Sequence, residues 1–87
     1  MIRQLDWAAI YEESRGRIEP ARWYTAAEVA VMLGVKGHCV NARCLNGSIT
    51  ARMVKLGGAS RRWEIRGRDL LRFLREQALF APRPRAA

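Results

Sequence analysis

The stretch TAAEVAVMLG, residues 25–34, admits few structures because its start and its stop are both written into it. A threonine followed three residues later by a glutamate is a capping box: the Thr25 hydroxyl and the Glu28 carboxylate each satisfy a first-turn amide that the helix leaves orphaned. Ala26, Val29, Ala30 and Leu33 fall at i, i+3, i+4 and i+7 and line one apolar face. Gly34 then supplies the left-handed residue that ends helices at little cost. The expected helix is short, about 26–33. Val35 is apolar and can pin the turn to a core, and a second helical stretch from about Lys36 to Asn46 closes at Gly47. Two short helices joined by a glycine-containing turn make a helix-turn-helix.

The second helix buries Val40 and Cys44, leaving Lys36, His38, Asn41, Ala42 and Asn46 on or near its open side, with Arg43 at the margin. Residues 49–55 and 61–65 then change to strand character around Leu56–Ser60, where tandem glycine points to a hairpin. Asp69 caps or opens a last helix whose apolar positions are Leu70, Leu71, Phe73 and Leu74, with Arg68, Arg72 and Arg75 on the wet side. Upstream, Leu5, Trp7, Ala8, Ile10 and Tyr11 after Asp6 give a short helix over about 5–15 that ends at Gly16 and Pro20. The expected organisation is a helical extension at 1–20, a domain at 21–79, and a basic tail at 80–87 rich in Pro, Arg and Ala and expected to be disordered.

Charge narrows the function. With 16 Lys and Arg against 8 Asp and Glu, the 87 residues carry a formal net charge of +8 and call for a polyanionic partner. Residues 1–20 hold Arg3, Arg15 and Arg17 against Asp6, Glu12, Glu13 and Glu19, a balance of −1, so residues 21–87 carry +9 and with it the binding surface. Lys36, Arg52, Lys55, Arg61 and Arg62 are expected to converge on one side as the footprint of duplex binding.

Other classes fare less well. No apolar run reaches the ~20 residues a membrane span needs, and the first residues lack a secretion signal, so the protein is expected in the cytoplasm with Cys39 and Cys44 as free, buried thiols. His38, Cys39 and Cys44 do not make a zinc site, because a second ligand pair is missing. The single histidine has no nucleophile or paired base to form an acid/base constellation, so neither an enzyme nor a cofactor is expected. Gly57 and Gly58 lack the Lys-Ser/Thr ending of a phosphate loop. Trp23, Tyr24, Trp63 and Phe73 read as core aromatics, Trp63 anchoring the hairpin, rather than as stacking platforms for single-stranded bases.

The ordered succession WYTAAEVAVMLGV at 23–35, NGSI at 46–49, GGASRRWEI at 57–65 and RDLLRFL at 68–74 resembles the excisionase and MerR-like winged-helix family. That resemblance implies an α+β winged helix-turn-helix whose second helix enters the major groove while the hairpin wing reaches the neighbouring minor groove or backbone. By position it assigns the helix role to Lys36, His38, Asn41, Ala42 and Arg43, and the wing role to Lys55, Gly57, Gly58, Ser60, Arg61 and Arg62. Thr25 and Arg52 complete the candidate DNA contacts. It implies a DNA-bending phage excisionase that binds repeated attachment-site DNA, can assemble head-to-tail, and works with a tyrosine integrase to favour excision. Two departures from the family pattern stand out: the second helix has Arg43 where an apolar residue is usual and Gly37 and Cys39 where Ser or Thr is common, and residues 1–20 lie outside the pattern and receive no role from it. The alternatives are a small transcription regulator of the same fold and a protein-interaction adaptor of phage packaging or replication that offers its basic face to an acidic protein.

Overall fold

The computed structural model describes residues 6–80, and the chain follows the order α1 (Trp7–Ser14), β1 (Trp23–Thr25), α2 (Ala26–Leu33), α3 (Gly37–Leu45), β2 (Arg52–Gly57), β3 (Ser60–Arg66) and α4 (Gly67–Phe80). It is a small α+β domain of four helices and one antiparallel three-stranded sheet in the order β1-β3-β2.

The local signals act as the sequence implies. Thr25 Oγ1 accepts from the Glu28 amide at 3.1 Å while Glu28 Oε1 accepts from the Thr25 amide at 3.1 Å, so both halves of the capping box form. Gly34 sits at φ 69°, and Val35 N donates to the Ala30 carbonyl at 3.0 Å, which closes α2 and turns the chain into α3. Asp6 caps α1 by accepting from the Ala9 amide at 3.2 Å.

Three boundaries depart from expectation. Trp23–Thr25 forms a strand that pairs antiparallel with Arg66–Glu64, too short for any alternation to announce it. The hairpin strands are 52–57 and 60–66, closed by only Gly58 and Ala59 with Gly58 at φ 55°, and Ile49, expected in a strand, instead plugs the core from the preceding loop at 1 % exposure. The last helix begins at Gly67, two residues before Asp69, which lies in its first turn and favours that end electrostatically; it continues through Phe80, which the expected tail began with. The remainder of that tail, 81–87, lies outside the described residues.

The core gathers Val29, Val40, Ile49, Ile65, Leu70 and Leu74, none more than 1 % exposed, with Tyr24, Leu33 and Phe73 around them. The segment before β1 belongs to the same packed unit: Ile18 is buried in this core, Glu19 N donates to the Tyr24 hydroxyl at 2.9 Å, and α1 packs on α4 with Trp7 edge-on to Phe73 at 5.6 Å. The tightest join is at Gly67. Its amide donates to the Arg22 carbonyl at 2.7 Å, and the next amide, of Arg68, donates to the Pro20 carbonyl at 3.0 Å. A Cβ at Gly67 would stand 1.9 Å from the Glu19 carbonyl oxygen, whereas one at Gly16 meets nothing within 4 Å. Gly67→Ala is therefore expected to lower unfolding free energy by about 2 kcal/mol and Gly16→Ala to stay within about 0.5 kcal/mol of the parent in urea melts; equal effects would remove the close approach from this description.

Candidate nucleic-acid interface

The chemistry of the surface follows from the period-two alternation of β3, which sends neighbouring side chains to opposite faces of the sheet. Arg61, Trp63 and Ile65 point one way, and Ile65, fully buried, marks that way as the face packed on α2 and α4. Ser60, Arg62, Glu64 and Arg66 point the other way. The register carries the division across the hairpin: Lys55 lies opposite Arg61 and Met53 opposite Trp63 on the first face, while Arg52 lies opposite Glu64 and Val54 opposite Arg62 on the second. The expected convergence of Arg52, Lys55, Arg61 and Arg62 on one side is thus corrected in part: the strand register sends Arg52 and Arg62 to the face opposite Lys55 and Arg61, although Arg62 also lines the groove beside Arg61.

On the outer face Arg52 and Arg62 are occupied, while the buried Arg66 Nε has no hydrogen-bond partner among the described residues. Arg52 Nε and Nη2 donate to Glu64 Oε1 at 3.3 and 3.0 Å, and Arg62 Nε and Nη2 reach Glu64 Oε2 at 3.1 and 2.9 Å. The Arg52 guanidinium also lies 3.7 Å over the Trp23 ring, and Arg66 sits 5.4 Å from the same ring. Trp23, expected among the core aromatics, is only partly buried and lies outside the core, where it is a platform for the domain's own cations. The Arg52 hydrogen bonds, seconded by those of Arg62, hold the Glu64 carboxyl below the usual glutamate range against the opposing effect of its burial.

Beside the hairpin the picture differs. An open groove of about 510 Å³ runs between the start of α2, the side of α3 and the hairpin, lined by Met53, Arg61 and Trp63 of the first face, by Thr25 and Arg62 of the second, and by Ala26, Ala27, Gly37 and Asn41 of the helices. Lys36, Lys55 and Arg61 are exposed and have no carboxylate within ion-pair distance among the described residues. Thr25 lines the groove while its oxygen caps α2. Trp63 is partly buried, packs against the core and forms the groove's wall, the anchoring role expected of it. Gly57, Gly58 and Ser60 are exposed at the hairpin tip, where φ of 112° and 55° suits glycine at the first two.

Helix α3 flanks the groove and divides its side chains among three directions. Val40 and Cys44 are buried; burial raises the Cys44 thiol pKa, while Cys39, expected buried, is exposed because the helical period carries it off that stripe. Asn41 lies on the groove side, and His38, Ala42 and Leu45 are exposed beyond it. Arg43 lies on the opposite margin and does not face outward: its guanidinium sits 5.5 Å from the Trp7 ring centroid and 5.4 Å from that of Phe73. This corrects its place among the outward-facing contacts, because α1 and α4 supply a pair of aromatic rings on that side. The start of α3 has no side-chain cap and no acidic residue in its first turn, and the Cys39 amide donates back to the Lys36 carbonyl at 3.0 Å, so the partial positive charge of this end is unanswered by an acidic side chain of its own turn.

The groove adds Ala27 of α2 and Met53 of β2 to the candidates, and Met53 is visible only once strand register is known. Arg68, Arg72 and Arg75 form an exposed row on α4, as their helical spacing implies. Among the described residues no three His, Cys, Asp or Glu side chains gather as a metal site, and no helix is long and apolar enough to cross a membrane. No family model, curated protein or solved structure matches this chain.

The pairing at Glu64 has a signed consequence. A carboxyl whose folded pKa is depressed contributes stability that is complete above its unfolded value, about 4.3, and that disappears as pH falls through the lower folded value. Glu64→Gln is therefore expected to flatten the loss of stability below about pH 4.3, read as thermal midpoint against pH; an unchanged acid limb would contradict the assignment.

Proposed function

We propose that this protein is a sequence-specific, DNA-bending architectural factor of the excisionase type, built as a winged helix-turn-helix and making no covalent chemistry. The observation that carries the proposal is the groove flanked on one side by α3 and on the other by a hairpin bearing Lys55 and Arg61, both free of carboxylate partners among the described residues. A helix fits the major groove of a duplex, and a basic hairpin beside it meets the neighbouring backbone.

In this reading α2 and α3 are the helix-turn-helix and α3 is the recognition helix. Asn41 pairs with an adenine edge through its amide, His38 and Ala42 contact base edges or a thymine methyl, and the uncapped start of α3 with Lys36 holds a phosphate. The wing is β2–β3, and Arg61 and Lys55 neutralise phosphates that set register and carry no sequence information. Arg52 keeps the wing's strands aligned by bonding across to Glu64, Arg62 bonds the same carboxylate from within β3, and both contribute less to the duplex. Repeated attachment-site DNA, head-to-tail assembly along it and a tyrosine integrase partner complete the proposal, and bent DNA is the product that shifts recombination toward excision.

Removing a phosphate contact weakens binding to every sequence, whereas removing a base contact erases discrimination. Arg61→Ala is expected to weaken all duplexes alike and to reduce the slope of log K against log salt by about 0.9. Asn41→Ala is expected to cost about 1–3 kcal/mol on the preferred sequence alone. Gel shifts on attachment-site DNA should show cooperative ladders with bending, and footprints should extend when tyrosine integrase is added. A chain without duplex affinity even at low salt would overturn the proposal and favour an acidic protein as the partner.

A further inference from the structure

Arg43 lies on the recognition helix of the proposed reader yet is turned away from its open face, and the segment ahead of β1 carries no net positive charge to offer a polyanion. These two facts meet at one place. The Arg43 guanidinium sits beside both Trp7 of α1 and Phe73 of α4, 5.5 and 5.4 Å from their centroids, the rings standing at 89° to each other with centroids 5.6 Å apart. A cation within about 6 Å of an aromatic ring is attracted through the ring's quadrupole. The backbone of the same residue holds the other side of the junction: the Arg43 carbonyl accepts from Ile49 N at 3.1 Å, and Ile49 is buried just before the loop enters β2. Nearby, Asn46 Oδ1 accepts from the Ser48 amide at 2.9 Å and stiffens the connection.

We infer that Arg43 is a positioning residue, and that α1, through Trp7, sets the tilt of α3 relative to the hairpin and so the discrimination between DNA sequences. The inference rests on the proposed DNA reading. Side chain and backbone of Arg43 link the last turn of α3 to α1 and α4 on one side and to the hairpin's lead-in on the other. A rotation of α3 would pull the guanidinium from the rings and strain the Arg43–Ile49 hydrogen bond together. Asn41 lies on the opposite margin of the same helix, so a rotation that frees Arg43 carries Asn41 along the groove. Base hydrogen bonds are directional and suffer from such a shift; phosphate attraction is not and persists.

The test compares the full chain with Arg43→Met, which keeps the apolar stem and removes the charge, Arg43→Lys, Trp7→Leu, which keeps an apolar side chain but removes the π face, and the Arg43→Met/Trp7→Leu double variant. Each is bound to a duplex enriched from a random-sequence pool and to its shuffled counterpart across a salt series, with circular dichroism confirming the fold. Arg43→Met and Trp7→Leu are each expected to lower the preference for the enriched duplex by roughly two- to fivefold. The salt slope should not change, the double variant should lose no more than either single one, and Arg43→Lys should recover part of the preference. A slope reduced by about 0.9 in Arg43→Met with Trp7→Leu harmless would make Arg43 a direct phosphate contact and overturn the inference alone. Unchanged preference in folded single variants would also overturn it. A parent chain that binds neither duplex would overturn the proposed function and this inference with it.

Discussion

The alternation of β3 is the constraint on which the surface depends. Once Ile65 is buried against α2 and α4, Trp63 and Arg61 must lie on the same side and Arg62, Glu64 and Arg66 on the other. A slip of one residue would bury Glu64 and Arg66 in an apolar core, which their desolvation forbids. The register is held from both neighbours, by Tyr24 opposite Ile65 in β1 and by Met53 opposite Trp63 in β2. The hairpin's charge therefore divides in a fixed way.

That division gives two cationic surfaces with different work. Around Glu64 the arginines satisfy one buried carboxylate and cover Trp23, so their positive charge is partly spent inside the protein. Arg61 in the groove lining and the exposed Lys36 and Lys55 have no carboxylate within ion-pair distance among the described residues. In a chain of net charge +8 the first set builds the hairpin and the second is available to a partner. Residues 18–22, threaded beneath the start of α4 at Gly67, bind the acidic-leaning first helix to the same body.

Signals confined to a few neighbouring residues were legible in the sequence. Thr25, Glu28 and Gly34 bounded α2, Asp6 opened α1, and the paired glycines located the hairpin because each acts through its own backbone. Features that need a tertiary partner were not. The three residues of β1 become a strand only by pairing with β3, and Ile49 leaves its expected strand because the core has a space for it. Arg43 stood out as a charge where the resembled family places an apolar residue, but its direction depends on Trp7, thirty-six positions away, and on Phe73. The opposite facing of Arg61 and Arg62 follows from strand periodicity; seeing which of the two keeps its charge for a partner required locating Glu64 beside Arg52.

Amide chemical-shift mapping tests most directly whether the groove between α3 and the hairpin is the proposed duplex-binding face. The isotopically labelled chain would be titrated with duplex DNA at low salt. Shifts are expected to concentrate at 36–42, 53–55 and 57–63, with Trp23, Arg52 and the α4 residues Arg68, Arg72 and Arg75 little changed. Shifts centred instead on the outer sheet face or on α4, with α3 and the hairpin tip silent, would contradict that proposal.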